Sequence, residues 1–186
     1  GVGVHFRSGT MTDAKILNST LNGNGFGVRV ASAVTSMDGI LIDGCTMNSN
    51  NSSAINVNPS GTVSNVNTNY TVSNCTFSNN GTSGSANMHD LSFFGFTGNA
   101  SLSNITVTAG NGSSANSSSY GIVFSRGSGS SALGTVSLNN VTVQGYVGKG
   151  ALTFQKYSDL SGVTLNNVDV SNCSAPWGQV ILDHTD

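Results

Sequence analysis

Glutamate does not occur in this chain of 186 residues, and only 8% of positions carry a charge, for a net of −2. Glu and Lys favour helices and fit strands poorly, so their scarcity beside abundant Ser, Thr, Asn and 24 Gly points to strands and turns. In a stack of identical coils, like charges at equivalent positions would repel, which favours an uncharged polar surface. So weak a positive charge excludes a phosphate-binding face, and nucleic acid is not expected as a partner. No apolar run of about 18 residues occurs, so no membrane-spanning helix is expected. Three cysteines decide nothing about the redox compartment.

What is present is a phrase that recurs six times. It reads Ile16-Leu17-Asn18-Ser19-Thr20-Leu21, Ile42-Asp43-Gly44-Cys45-Thr46-Met47, Val72-Ser73-Asn74-Cys75-Thr76-Phe77, Leu102-Ser103-Asn104-Ile105-Thr106-Val107, Leu138-Asn139-Asn140-Val141-Thr142-Val143 and Leu165-Asn166-Asn167-Val168-Asp169-Val170. The copies are spaced by about 26 to 36 residues, the range of solenoid repeats. Within each phrase Ile16, Ser19 and Leu21 and their counterparts face one way and Thr20 and its counterparts the other. A second alternating segment accompanies each copy: Val4/Phe6, Val28/Val30, Ile55/Val57, Leu91/Phe93, Ile122/Phe124 and Leu152/Phe154, with Val180/Leu182 opening a further coil.

Two short strands per repeat cannot bury an apolar face alone. Stacked coils can, by pairing strands in parallel about 4.8 Å apart and aligning their inward side chains in columns. The expected fold is therefore all-β: a right-handed parallel β-helix of about six coils, one domain over 1–186. The chain opens at Gly1-Val2-Gly3-Val4 already in a strand-like pattern and stops soon after Val180/Leu182, so a segment of a larger protein or assembly is expected.

Asn18, Asn74, Asn104, Asn140 and Asn167 fall at one position of the phrase, with Gly44 the exception. Asn suits such a place because its amide can bond the amide stacked above it and it tolerates left-handed backbone angles. On these residues the chain resembles right-handed parallel β-helix proteins of the pectate-lyase-like superfamily, in which a ladder of stacked Asn lines one turn of the coil. The run from Val72 to Asn80 is also similar to the repeats of bacterial polymorphic outer-membrane proteins and related adhesins. The resemblance covers essentially the whole chain and implies an architecture, which carries lyases, hydrolases, epimerases, tailspikes and adhesins alike.

Lyases of that superfamily pair an Arg or Lys base with Asp-bound calcium, and the polygalacturonase type carries several Asp and a Gly-His-Gly motif. This chain has no Gly-His-Gly and no adjacent Asp pair. His5, Arg7 and Arg29 form a candidate basic patch for a sugar carboxylate, with Asp90 a further outward candidate. His89-Asp90 and Asp183-His184-Thr185-Asp186 are the nearest approaches to an acid/base or metal cluster, each without a third partner. No catalytic, metal or cofactor site is expected.

Cys45 and Cys75 occupy equivalent inward positions in neighbouring coils, within disulfide range. Parallel stacking points their side chains the same way, which favours two buried thiols over a bond. Cys173 is expected to be unpaired. Asn-x-Ser/Thr acceptors abound, and the ladder members are expected to be too buried for glycosylation, leaving turn positions Asn50, Asn51, Asn69, Asn80, Asn99, Asn111 and Asn116. The column Thr20, Thr46, Thr76, Thr106 and Thr142 invites an ice-binding reading, but its flanks (Asn22, Asn48, Ser78, Thr108 and Gln144) are too mixed for a paired array. The expected function is an extracellular structural or adhesive rod, with a carbohydrate-active enzyme or polysaccharide-binding β-helix as the alternative and ice binding third. Its expected partners are neighbouring segments or subunits of one assembly and, after them, carbohydrate.

Overall fold

The computed structural model describes residues 1–57, 66–83, 89–109, 119–126 and 131–183, and among them there is no helix. The chain winds as a parallel β-solenoid. One sheet stacks seven strands in chain order: β1 (Val2–Phe6), β4 (Phe26–Val30), β7 (Ser53–Val57), β9 (Leu91–Phe94), β11 (Tyr120–Ser125), β13 (Gly150–Gln155) and β15 (Val180–Asp183). The other stacks β2 (Gly9–Thr12), β5 (Val34–Asp43), β8 (Val66–Ser78), β10 (Ala100–Thr108), β12 (Val136–Gln144) and β14 (Val163–Ser171). Two short strands, β3 (Lys15–Leu17) and β6 (Thr46–Asn48), complete its first rungs. Six phrases are separated by about five turns of the helix, slightly fewer than one coil per phrase would give.

Every strand pair is parallel, and the register joins like to like. Leu102 pairs Val72 and Leu138, Val107 pairs Phe77 and Val143, and Thr106 pairs Thr76 and Thr142. The phrase places three residues inward at intervals of three and two, a spacing that strict alternation does not allow. The reason is its Asn: Asn74, Asn104 and Asn140 adopt left-handed φ of 53°, 53° and 55°, so the strand bends there and resumes with its faces exchanged. Val72, Cys75 and Phe77 are consequently all buried, as are Leu102, Ile105 and Val107.

Aromatic residues join the columns in the first sheet. Phe93, Phe124 and Phe154 stack face to face, with centroids 4.5 and 5.2 Å apart and rings within 5° of parallel. Tyr70 and Phe96 pack edge-on against one another at 5.4 Å. All three cysteines are free and buried, as the parallel stacking of Cys45 on Cys75 requires. The Cys75 sulfur accepts the Cys45 backbone N–H at 3.3 Å, and burial pushes the Cys75 thiol up to about 11.

Candidate functional site

Two asparagine ladders climb the solenoid, one outside and one inside. The outer ladder is the one legible in the phrase. Asn104 Nδ2 donates to Asn74 Oδ1 at 2.9 Å, Asn140 to Asn104 at 3.1 Å and Asn167 to Asn140 at 2.7 Å. Asn18 is cut off from it by Gly44, and Asn74 turns its amide to Asp43 Oδ1 at 2.8 Å. Acceptance from Ser73 and then Asn74 holds the Asp43 carboxyl below its ordinary range.

The expectation that these asparagines are buried is not met: Asn18, Asn74, Asn104, Asn140 and Asn167 are all exposed. A left-handed residue at a bend of the sheet carries its side chain outward, so the amides bond along the rod while their edges face water. Replacing Asn104 by Ala should therefore cost about 2 kcal/mol, from two amide bonds and the left-handed backbone penalty. Asn104→Gly should recover about 1 kcal/mol of that by removing the backbone term. Urea unfolding of the three proteins measures both, and an Ala variant no weaker than the Gly variant would show that backbone conformation plays no part.

The inner ladder was not legible in the phrase. Asn50 and Asn80, expected to be exposed glycosylation acceptors, are fully buried at the corner where the chain leaves the second sheet. Asn50 Nδ2 donates to Asn80 Oδ1 at 2.8 Å and to the Leu21 carbonyl at 3.0 Å. Asn80 Nδ2 donates to the Met47 carbonyl at 3.1 Å and to Asp90 Oδ1 at 2.7 Å. The Asn24 and Asn50 backbone N–H groups donate to the amide oxygen one rung on, at 2.9 and 3.0 Å. These amides satisfy corner backbone groups that no strand partner reaches, which is why the corner takes asparagine in its interior.

Asp90 ends this ladder and is not outward as expected. It is fully buried, in register with Ala54 on one side and Gly121 on the other. At this corner two consecutive residues face inward, Gly27 with Val28, Ala54 with Ile55 and Gly121 with Ile122, so alternation is suspended for one residue. A Cβ on Gly27 would lie 2.9 Å from the Met47 sulfur, and one on Gly121 2.8 Å from Val143, so the column admits only small or special side chains. Burial pushes the Asp90 carboxyl up to about 7, against the lowering effect of the Asn80 amide. Among the described residues its Oδ2 has no partner, nor has the buried Tyr146 hydroxyl.

His89 is buried as well. Its Nδ1 accepts the Tyr120 N–H at 3.1 Å, and its Nε2 is unpartnered among the described residues. Burial, with the Lys149 charge added, brings the imidazole down to about 3. His89 and Asp90 are thus two buried core groups rather than a solvent-facing acid/base pair. His184 and Asp186 of the other cluster lie outside the described residues.

His5 and Arg29, by contrast, are direct register partners on β1 and β4, with exposed Arg7 two residues along. The Arg29 guanidinium lies 4.8 Å from the centre of the Phe26 ring, and its Nε has no partner among the described residues. Slight burial and then the charges of Arg29 and Arg7 hold His5 below its ordinary value, so at neutral pH the patch carries two full charges. The structure therefore unites His5, Arg7 and Arg29 and leaves Asp90 apart from them.

Among the glycosylation candidates, Asn51, Asn69 and Asn99 are exposed, while Asn111 and Asn116 lie outside the described residues. Asn69 and Asn99 border an open groove of about 360 Å³ whose other polar walls are Thr71, Ser101, Thr135 and Ser137. Asn69 Nδ2 donates to Asp38 at 2.6 Å, and the Asn99 amide oxygen accepts the Thr135 N–H at 2.9 Å. No helix among the described residues is long and apolar enough to cross a membrane.

These features define a parallel β-solenoid with an outer amide ladder and an inner one that ends on a buried acid. No protein-family model, curated protein or solved structure matches the chain significantly.

Proposed function

We propose that this chain is a structural or adhesive element outside the cell, one stretch of a β-helical rod within a larger protein or assembly. The observation that carries the reading is the outer ladder with its flanking hydroxyl column. Amides of Asn74, Asn104 and Asn140 and hydroxyls of Thr76, Thr106 and Thr142 repeat on three successive rungs, so one uncharged surface is presented at several levels. Such a surface suits repeated weak contacts, whose strength grows with the number engaged. Asn51, Asn69 and Asn99 are the acceptors we assign for glycans if the source is eukaryotic. Immunogold labelling of intact source cells tests the assignment: label at the outer surface is expected, and label confined to the cytoplasm would overturn it.

A carbohydrate-binding reading is favoured by one observation, the pairing of His5 with Arg29 beside Arg7. Two guanidinium groups there suit a sugar carboxylate. Calorimetry with acidic oligosaccharides decides between the readings, since saturable binding that disappears in Arg29→Ala would make sugar recognition the function.

A further inference from the structure

Strand register builds the groove beside Asn69 and Asn99 as two parallel walls. Asn99 lies opposite Asn69 and Thr135, one residue before the pairs Ala100–Tyr70 and Ala100–Val136. One residue after those pairs, Ser101 stands beside Thr71 on one rung and Ser137 on the next. The walls thus follow the rod axis across three consecutive rungs in its middle, a length of about 10 Å. Tyr70 and Ala100 turn their side chains into the core, so the floor between the walls is backbone. That backbone is already committed, since the Tyr70 N–H donates to the Asn99 carbonyl at 3.0 Å and the Ala100 N–H to the Thr135 carbonyl at 3.0 Å. Whatever the groove holds must be recognised by its walls.

Those walls are amides and hydroxyls without a charge: Asn69, Asn99, Thr71, Ser101, Thr135 and Ser137. Much of their bonding capacity is unspent. The Thr71 and Thr135 hydroxyls have no partner among the described residues. Two contacts between rungs, Ser137 Oγ to Ser101 Oγ at 3.4 Å and Asn99 Nδ2 to Asn69 Oδ1 at 3.5 Å, are long and easily exchanged. Donors and acceptors therefore lie side by side along the groove, and a ligand whose groups both donate and accept matches them. We infer that the groove seats a neutral oligosaccharide, about two pyranose rings of it at a time. A β-1,4-linked ring advances by about one rung, so successive rings meet successive rungs. The volume of about 360 Å³ falls in the range of small-molecule sites.

Charge and backbone turn other ligands away. An acidic sugar or a phosphate finds no cation in the walls, and the Asp38 carboxylate, which accepts the Asn69 amide at 2.6 Å, repels it. A peptide finds no apolar side chain in the walls and no free strand edge, because the floor is the middle of the second sheet. The groove is therefore distinct from the patch of His5, Arg7 and Arg29, which lies on the other sheet and suits a carboxylate. A glycan attached to Asn69 or Asn99 would fill the same space, so the binding form is the one in which both amides are bare. The inference rests on the reading of the rod as adhesive and names the class of ligand at one place on it.

NMR titration of the chain made in bacteria, where Asn69 and Asn99 stay unmodified, tests the inference. Hexasaccharides of β-1,4-linked glucose and of β-1,4-linked N-acetylglucosamine are the neutral probes, and hexagalacturonate is the acidic one. Saturable shifts of the Asn69 and Asn99 side-chain amide signals are expected with at least one neutral probe and none with hexagalacturonate. Thr71→Val, which removes one hydroxyl and keeps a strand-compatible shape, should weaken binding about fivefold. Ser101→Arg, at the centre of the groove, should abolish it, while Arg29→Ala leaves it unchanged. Both groove variants alter the outer face of a strand and should keep the circular dichroism of the wild type. Amide signals that move with neither neutral probe, equal shifts with hexagalacturonate, or full affinity in Ser101→Arg would each sink the idea. Surface label on source cells without sugar binding would overturn the groove and leave the rod assignment standing, so the two failures are distinguishable.

Discussion

Asp90→Asn is expected to stabilise the protein by about 4 kcal/mol near pH 8 and to leave its stability unchanged near pH 3. The Asp90 carboxyl titrates at about 7 when folded, against an ordinary value of 3.8. A buried acid raised in this way binds more protons in the folded than in the unfolded state. Its contribution is therefore whole in acid and is lost as pH climbs from about 4 to about 7, at roughly 1.4 kcal/mol per unit. Asn has the same shape, still accepts the Asn80 amide hydrogen and never ionises, so it removes that loss.

His89 works in the opposite sense. Its imidazole is brought down to about 3 from 6.5, so its contribution is whole above about pH 6.5 and is lost as pH falls toward 3. Between about pH 4 and 6.5 the two slopes cancel, because folding there turns a charged carboxylate and a charged imidazolium into a neutral pair with no net proton exchange. The wild type should accordingly show nearly level stability across that interval. Asp90→Asn should expose the bare His89 slope, stability rising with pH. Chemical denaturation at a series of pH values checks this, and a wild type whose stability rises with pH as steeply as the variant's would show that Asp90 is ionised in the fold.

Phe124→Ala should cost about 4 kcal/mol. Phe124 is the middle ring of the stack, fully buried, and it touches Phe93 and Phe154 face to face and Phe96 edge-on. Truncation removes the ring's own transfer free energy and leaves a cavity walled by parallel strands, whose spacing is fixed by backbone hydrogen bonds and so cannot collapse to fill it. Phe124→Leu should recover roughly half of the loss. Thermal unfolding of the two variants separates cavity from hydrophobicity. An Ala variant that loses less than 1 kcal/mol, about the contribution of a pair of stacked rings, would mean that the rung closes after all.

The apolar columns and the outer asparagines were legible because a solenoid repeats one environment at each coil, so Leu102, Leu138 and Val72 announce one another. The bends were legible only as a residue type: Asn at a fixed place signals a left-handed turn but not which way its side chain leaves the sheet. For that reason the pattern puts Asn18 and its kin inside and Asn50 and Asn80 outside, and the fold reverses both. Asn80 carries the same Asn-x-Thr pattern as Asn74, and only its bonds to Met47, Asn50 and Asp90 distinguish it.

Alternation with Leu91 and Phe93 assigns Asp90 to the outer face, but the corner suspends alternation for one residue and turns it inward. A usable signal existed. Aligning the second segments sets Asp90 in a column with Gly3, Gly27, Ala54, Gly121 and Ala151, where a carboxylate among small residues stands out. Of the proposed sugar contacts, His5 and Arg29 were correctly neighboured because strand register alone decides it.

The hydrogen bonds that join one rung to the next run along the rod axis, and each rung contacts little beyond its two neighbours. A load that draws the two chain ends apart therefore meets these bonds a few at a time, in the manner of a zipper, rather than shearing a whole sheet at once. Each coil released pays out about 30 residues, roughly 100 Å of extended chain. A molecule built this way yields in even instalments from its ends while the Phe93–Phe124–Phe154 stack keeps the middle wound, so tension lengthens it long before it destroys it.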